Sequence, residues 1–159
     1  MTNPTMLFER YQRWAILVHG AEPPRPQEWA DYVEEIRQLQ ESGGIGACVL
    51  TDGVGPNATQ RKMVTQFNMR CAVVTSSRVA CAMVTALHWA GLGIKAFTPD
   101  DLVEPLVFLD VPPVDHKPMI ERMAAMRLAL AGEHHRPTSS LGHPELQKIL
   151  TMPLQRARP

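Results

Sequence analysis

The stretch RCAVVTSSRVACAMVTALHWAGLGIKAFTPDDLVEPLVFL, residues 70–109, decides the fold. Residues 71–74 form a short apolar run that gives way to Thr75, Ser76 and Ser77, the profile of a strand buried in a parallel sheet. Ser77 suits the cap of a helix over residues 79–90, which Gly91 and Gly93 stop. Residues 94–97 predict a second strand. Pro99, Asp100 and Asp101 then open another helix that ends at Leu109. Strand, helix, strand, helix in 40 residues is a βαβ unit with a trailing helix.

Working outward, the same alternation continues upstream. Residues 7–11 and 14–19 are extended segments, either one bent strand or a hairpin at the sheet edge. Residues 20–26 make a stiff, proline-rich loop, and Pro26 suits the first turn of a helix. Trp29, Tyr32, Val33, Ile36 and Leu39 then lay one apolar stripe along a helix over residues 27–40. Gly43 and Gly44 end it, and residues 45–51 predict the next buried strand. Asn57 with Gln60 three residues on has the form of a capping box. It opens a helix over residues 58–67 that should turn Met63, Val64 and Phe67 inward. Short connections between parallel strands favour right-handed helical crossovers. The expected architecture is an α/β domain over residues 1–110, built on a single, mostly parallel sheet.

Downstream of Asp110 the pattern changes. Residues 111–118 contain Pro112, Pro113 and Pro118 and predict an extended linker that cannot be helical. Residues 119–132 predict a C-terminal helix with Met119, Ile120, Met123, Met126 and Leu130 apolar. Residues 133–159 predict a flexible tail. Within it, residues 144–152 allow one short helix, with Leu146, Ile149 and Leu150 on one side as a docking segment.

The chain has 159 residues, 45% of them hydrophobic, enough for one domain with a filled core. Sixteen basic residues against sixteen acidic ones leave a formal net charge of +0, so no electrostatic footprint points to nucleic acid. Cys48, Cys71 and Cys81 all lie in apolar runs. That suits reduced core thiols in a cytoplasmic protein better than a disulfide plus one reactive thiol. Glu9, Arg10 and Arg13 interrupt any signal peptide, and no run approaches the length of a membrane span.

The sequence holds no GxxxxGK[ST] phosphate loop, no GxSxG elbow and no HExxH motif. Gly53 and Gly55 lack the third glycine and acidic partner of a dinucleotide fingerprint. The histidines are scattered, and no cysteine or carboxylate stands at ligand spacing beside His134 and His135, so neither a metal site nor a cofactor is expected. Asp52 stands at the carboxyl end of a central strand, where open α/β sheets bind ligands. Thr51, Thr75, Ser76, Ser77 and Arg78 should line the same end, joined by Asn57 and Thr59 from the next helix start. Free amides at Ser77 with Arg78 beside them suit an anion. The same residues also make ordinary caps and turns.

Residues 79–90 leave almost no polar face, unlike a surface helix. Cover can come from the chain's own methionine-rich helix or from a second subunit. A homodimer with Met83, Leu87, Trp89, Met119, Met123 and Met126 in its interface is the expectation.

The segments 49–59, 72–77 and 94–109 together resemble the STAS domain family, the fold of bacterial anti-sigma factor antagonists, and in particular its STAS/SEC14-like branch. The resemblance covers about residues 6–110. It implies a non-catalytic regulatory module that binds a protein partner. The SEC14-like label implies an alternative, a carrier for a lipid or nucleotide. A small enzyme using Asp52 is the third reading. Regulatory members carry a phosphorylatable Ser or Thr in an Asp-Ser-Ser/Thr-Gly setting. Here the stretch is Pro56-Asn57-Ala58-Thr59-Gln60, without that Asp and Gly, and Thr59 is the hydroxyl that could accept a phosphate.

Overall fold

The computed structural model describes residues 3–132 and 143–152. Strands β1 (Met6–Tyr11) and β2 (Trp14–His19) pair antiparallel, with Tyr11 opposite Trp14, so the N-terminal segment is a tight hairpin and not one bent strand. Gln12 in its loop adopts a positive φ of 50°. The chain continues through α1 (Pro26–Glu41), β3 (Gly46–Leu50), α2 (Ala58–Val64), β4 (Arg70–Val74), α3 (Arg78–Trp89) and β5 (Ile94–Phe97). It then forms α4 (Val103–Phe108), α5 (Pro113–Leu130) and α6 (His143–Thr151). The five strands lie in sequence order. β2 to β5 run parallel and β1 is the antiparallel edge. This is the α/β architecture that the alternation predicts.

Strand periodicity divides the core in two. On β2, Trp14, Ile16 and Val18 enter one cluster while Ala15 and Leu17 enter the other. The face bearing Ala15, Leu17, Ala47, Val49 and Val73 is covered by α1, α2 and α3, through Trp29, Tyr32, Ile36, Leu39, Val64 and Val84. The opposite face is covered by α4, α5 and α6. Three crossover helices on one face are what a run of same-handed connections between neighbouring parallel strands produces.

Four expectations are corrected. Residues 111–118 are not an extended linker, because α5 begins at Pro113 and carries Pro118 inside it. Pro113 fits the first helical position, where its missing amide costs nothing. Pro118 does forfeit a helical hydrogen bond. Burial of Met119 and Ile120 just beyond it offsets that loss, and Asp115 ties the first turn to the hairpin by accepting from the Tyr11 hydroxyl at 2.7 Å and Gln12 Nε2 at 3.1 Å. Second, Met119, Met123 and Met126 are buried in the chain's own core, so they cannot line a subunit interface. Third, the expected flexible tail over residues 133–159 is narrowed, because the short docking helix expected within it at residues 144–152 forms over residues 143–151. They form α6, which buries Leu146 and Leu150 on α5 and the sheet face, as a docking segment would. The remainder of the expected flexible tail, residues 133–142 and 153–159, lies outside the described residues. Fourth, α2 stops at Val64 and leaves Met63 exposed, while the capping glutamine Gln60 is buried in its place.

Candidate functional site

The layer formed by α1, α2 and α3 does not close completely onto the sheet. A cavity of about 340 Å³ lies between them. Its floor is Leu17, Val49, Val73 and Ile94 from four adjacent strands, and its roof includes Ala80, Met83, Val84 and Leu87 of α3. Trp29 and Tyr32 of α1 close one side, and Arg61 and Val64 of α2 another. A smaller cavity of about 140 Å³ adjoins it, sharing Tyr32, Arg61, Val64, Cys71, Leu87 and Ile94, and extends toward Phe67, Leu92 and Gly93.

The space exists because α3 is rich in small residues on its inner side and α2 is short. Ala80 and Val84 are the buried residues of α3, and neither reaches far across the sheet. Gly53, at φ 102°, lets the β3–α2 loop lie against the β4–α3 loop. A Cβ there would come within 2.7 Å of the Ser77 hydroxyl.

His19 is the polar group at the inner end. It terminates β2 at the carboxyl end of the sheet, is 1% exposed, and lines the larger cavity. Its ring stacks on Trp29 with centroids 6.1 Å apart and an interplanar angle of 21°. Its Nδ1 is buried with no hydrogen-bond partner among the described residues. Burial pushes the imidazole down to about 4, so at neutral pH the ring is uncharged. Trp29 Nε1 donates to the Gln60 carbonyl at 2.9 Å, and Gln60 Nε2 donates to the Pro24 carbonyl at 3.1 Å, which fixes this wall. Arg61 Nη1 donates to the Pro56 carbonyl at 2.8 Å.

Asp52 serves a different purpose from the one its position suggests. Both of its carboxylate oxygens accept from Arg127 Nη2, at 2.8 and 2.7 Å. Arg127 lies on α5 and is fully buried, and its Nε and Nη2 also donate to the Met152 carbonyl at the end of α6. The carboxylate thus joins the β3 end to the α5–α6 layer, on the opposite face from the cavity.

The other expected surface residues are divided. Thr51 lines the cavity and accepts from the Gly53 amide at 3.1 Å. Thr75 is buried and accepts from the Ser77 amide at 3.1 Å. Ser77 caps α3 by accepting from Ala80, and Asn57 with Gln60 forms the reciprocal box that opens α2. Ser76, Arg78 and Thr59 are exposed. The two βα loops do meet, through Gly53 and Ser77, but the side chains of Thr51, Asn57, Thr75 and Ser77 are engaged in turns and caps. Cys48, Cys71 and Cys81 are free thiols, and burial pushes the Cys48 thiol up to about 12.

Pattern reading alone missed His19, Arg61 and Arg127. Arg127 does carry a signal, since it stands four residues after Met123 on the apolar stripe of its helix. His19 shows as a titratable residue that closes a wholly apolar strand. Among the described residues, no three of His, Cys, Asp and Glu gather where they could hold a metal ion, and no helix is long and apolar enough to cross a membrane. Compared with protein-family models and with curated proteins, the chain matches none.

Proposed function

We propose that this chain is a non-catalytic ligand-binding domain that holds one small, mainly apolar molecule between its sheet and helices α1 to α3. The observation that carries this reading is the 340 Å³ cavity walled by Leu17, Val49, Val73, Val84 and Leu87. Its size falls within the range of roughly 300–1,000 Å³ usual for small-molecule sites. Of the two carrier ligands that the STAS/SEC14-like resemblance suggests, a lipid-like molecule suits these walls. A nucleotide would find a single cationic side chain, Arg61, among predominantly apolar walls, too little to offset the desolvation of its phosphates. The test is saturable binding of the fluorescent probe N-phenyl-1-naphthylamine. Wild type should bind one equivalent, and Val84→Trp, which fills the cavity, should bind none. A wild-type protein that leaves the probe dark would end this reading.

A second reading, the regulatory interaction module of STAS type, is favoured by a separate observation. Val79 and Trp89 on α3 are 79% and 82% exposed, and Met83 is also exposed. An apolar stripe of this kind on a helix suits a protein partner or a second copy of the chain. Chemical cross-linking in solution, compared between wild type and Trp89→Glu, tests it. Loss of a specific cross-linked species in the variant supports the module, and an identical pattern speaks against it.

A further inference from the structure

We infer that the cavity's occupant is an apolar monocarboxylate, a molecule of fatty-acid type, whose head group pairs with the Arg61 guanidinium while its chain lies between α3 and the sheet. This rests on the ligand-binding reading above and names the ligand's chemistry.

The inference starts from the charge on the walls. Arg61 lines both cavities, and among the described residues no aspartate or glutamate lines either one. The other titratable groups shared by the two cavities are uncharged at neutral pH, because desolvation pushes the Cys71 thiol up to about 12 and raises the Tyr32 phenol as well. Arg70 borders the smaller cavity alone, and its guanidinium is paired with Asp110 at 2.6 Å. Arg61 has no carboxylate partner among the described residues, so its positive charge stands on otherwise neutral walls.

The head group follows from the geometry of the guanidinium. Arg61 Nη1 donates to the Pro56 carbonyl at 2.8 Å, which fixes the plane of the group. Nε and Nη2 have no acceptor among the described residues. Together they form the edge that grips the two oxygens of a carboxylate side by side. One guanidinium balances one negative charge. A phosphate monoester carries close to two and would leave the second uncompensated.

The placement of head and chain follows from the rim. Gly53, Gly55 and Pro56 belong to the β3–α2 loop, line the larger cavity and reach the surface. The bond to Pro56 puts the guanidinium at this rim. A carboxylate meeting it there keeps part of its hydration and avoids the cost of a charge buried among aliphatic side chains. Inward from the rim the cavity continues under Val84 and Leu87 and over Val49 and Val73, where an alkyl chain finds apolar walls.

The experiment uses the full chain at neutral pH and the matched probes decanoate, decanol, decylammonium and decyl phosphate, which differ in the head group alone. Calorimetric titration of wild type should show decanoate binding about tenfold tighter than decanol, the worth of one charge-assisted hydrogen bond, and decylammonium binding weakest. Arg61→Met should bind decanoate and decanol within about threefold of each other, with decanol affinity kept. Equal affinities in wild type, or a preference that survives in Arg61→Met, would overturn the pairing while leaving the cavity reading intact. Failure of all four probes would overturn both. Tighter binding of decyl phosphate would overturn the carboxylate head. Undiminished decanoate binding by Val84→Trp would put the chain outside the cavity and overturn the inference. A second measurement covers the case in which Arg61→Met does not fold. In ¹⁵N-labelled wild type, decanoate should move the Arg61 Nε resonance and decanol should move it less. An unmoved resonance at decanoate saturation overturns the pairing.

Discussion

Two charged side chains show how far position alone can mislead. Asp52 sits where ligands usually bind in an open α/β sheet, yet its carboxylate is engaged by the fully buried Arg127. Removing Asp52 would strand a buried guanidinium, so Asp52→Ala should destabilise the protein by about 3 kcal/mol. Arg127→Met in the same chain should recover most of that loss, since the buried charge is gone. Urea denaturation of the two single variants and the double variant measures this. Additive losses would mean that the pair is not coupled. His19 gives a second residue-level prediction. Its folded value of about 4 lies below the ordinary histidine value, so the native state binds fewer protons than the unfolded chain. Its contribution is therefore intact above about pH 6.5 and lost as pH falls toward 4, amounting to about 2 kcal/mol by pH 5. Stability measured at pH 7 and pH 5 should fall in wild type and fall less in His19→Gln. Equal slopes would show that His19 is not the group responsible.

Among the elements, α3 and α5 exchange the roles that their compositions suggest. α3 is the more apolar helix, but Val79 and Trp89 point outward, and Met83, which helps to roof the cavity, is 40% exposed. α5 looks amphipathic, yet it buries Met119, Met123, Ala124 and Leu128 against the sheet. Met123→Glu should therefore destabilise the fold by several kcal/mol, whatever the oligomeric state, because it places a charge in the core. Trp89→Glu should change stability by no more than about 0.5 kcal/mol. Thermal melts of both variants decide this, and a stable Met123→Glu protein would contradict the packing of α5. The strand and crossover order was legible because short apolar runs, capping residues and glycine stops all agree over residues 14–97. The start of α5 was not, because Pro112, Pro113 and Pro118 read locally as a break. The helix there depends on tertiary partners, Tyr11 and Gln12 on Asp115, that no local pattern reveals. The site was half legible. The residues that gather at the carboxyl end of the sheet could be named from strand ends and helix starts, but burial and pairing, which set Asp52 apart from His19, depend on helices far away in the chain.

Across the whole molecule the two layers differ in how firmly they hold the sheet. On one side α4, α5 and α6 interlock through Leu106, Leu109, Met119, Met123 and Leu150, all buried completely or nearly so. Trp14 Nε1 donating to the Leu109 carbonyl at 2.9 Å, and Arg127 linking Asp52 to Met152, add polar ties across that layer. On the other side α2 buries one residue, Gln60, and α3 buries two, Ala80 and Val84, above the cavities. Helices with so little buried apolar surface open at a fraction of the global unfolding free energy. The floor strands β2 to β4 are central and fixed by pairing on both sides, so any loosening around the cavity falls on the helices above it. Native-state hydrogen exchange should therefore show amides of α2 and α3 exchanging through local opening, while those of β2, β3 and α5 exchange only with global unfolding. Saturation with N-phenyl-1-naphthylamine should slow α2 and α3 selectively, because a ligand bound only to the closed form stabilises it by mass action. Uniform protection across both layers would mean that the α2–α3 layer does not open separately from the rest of the domain.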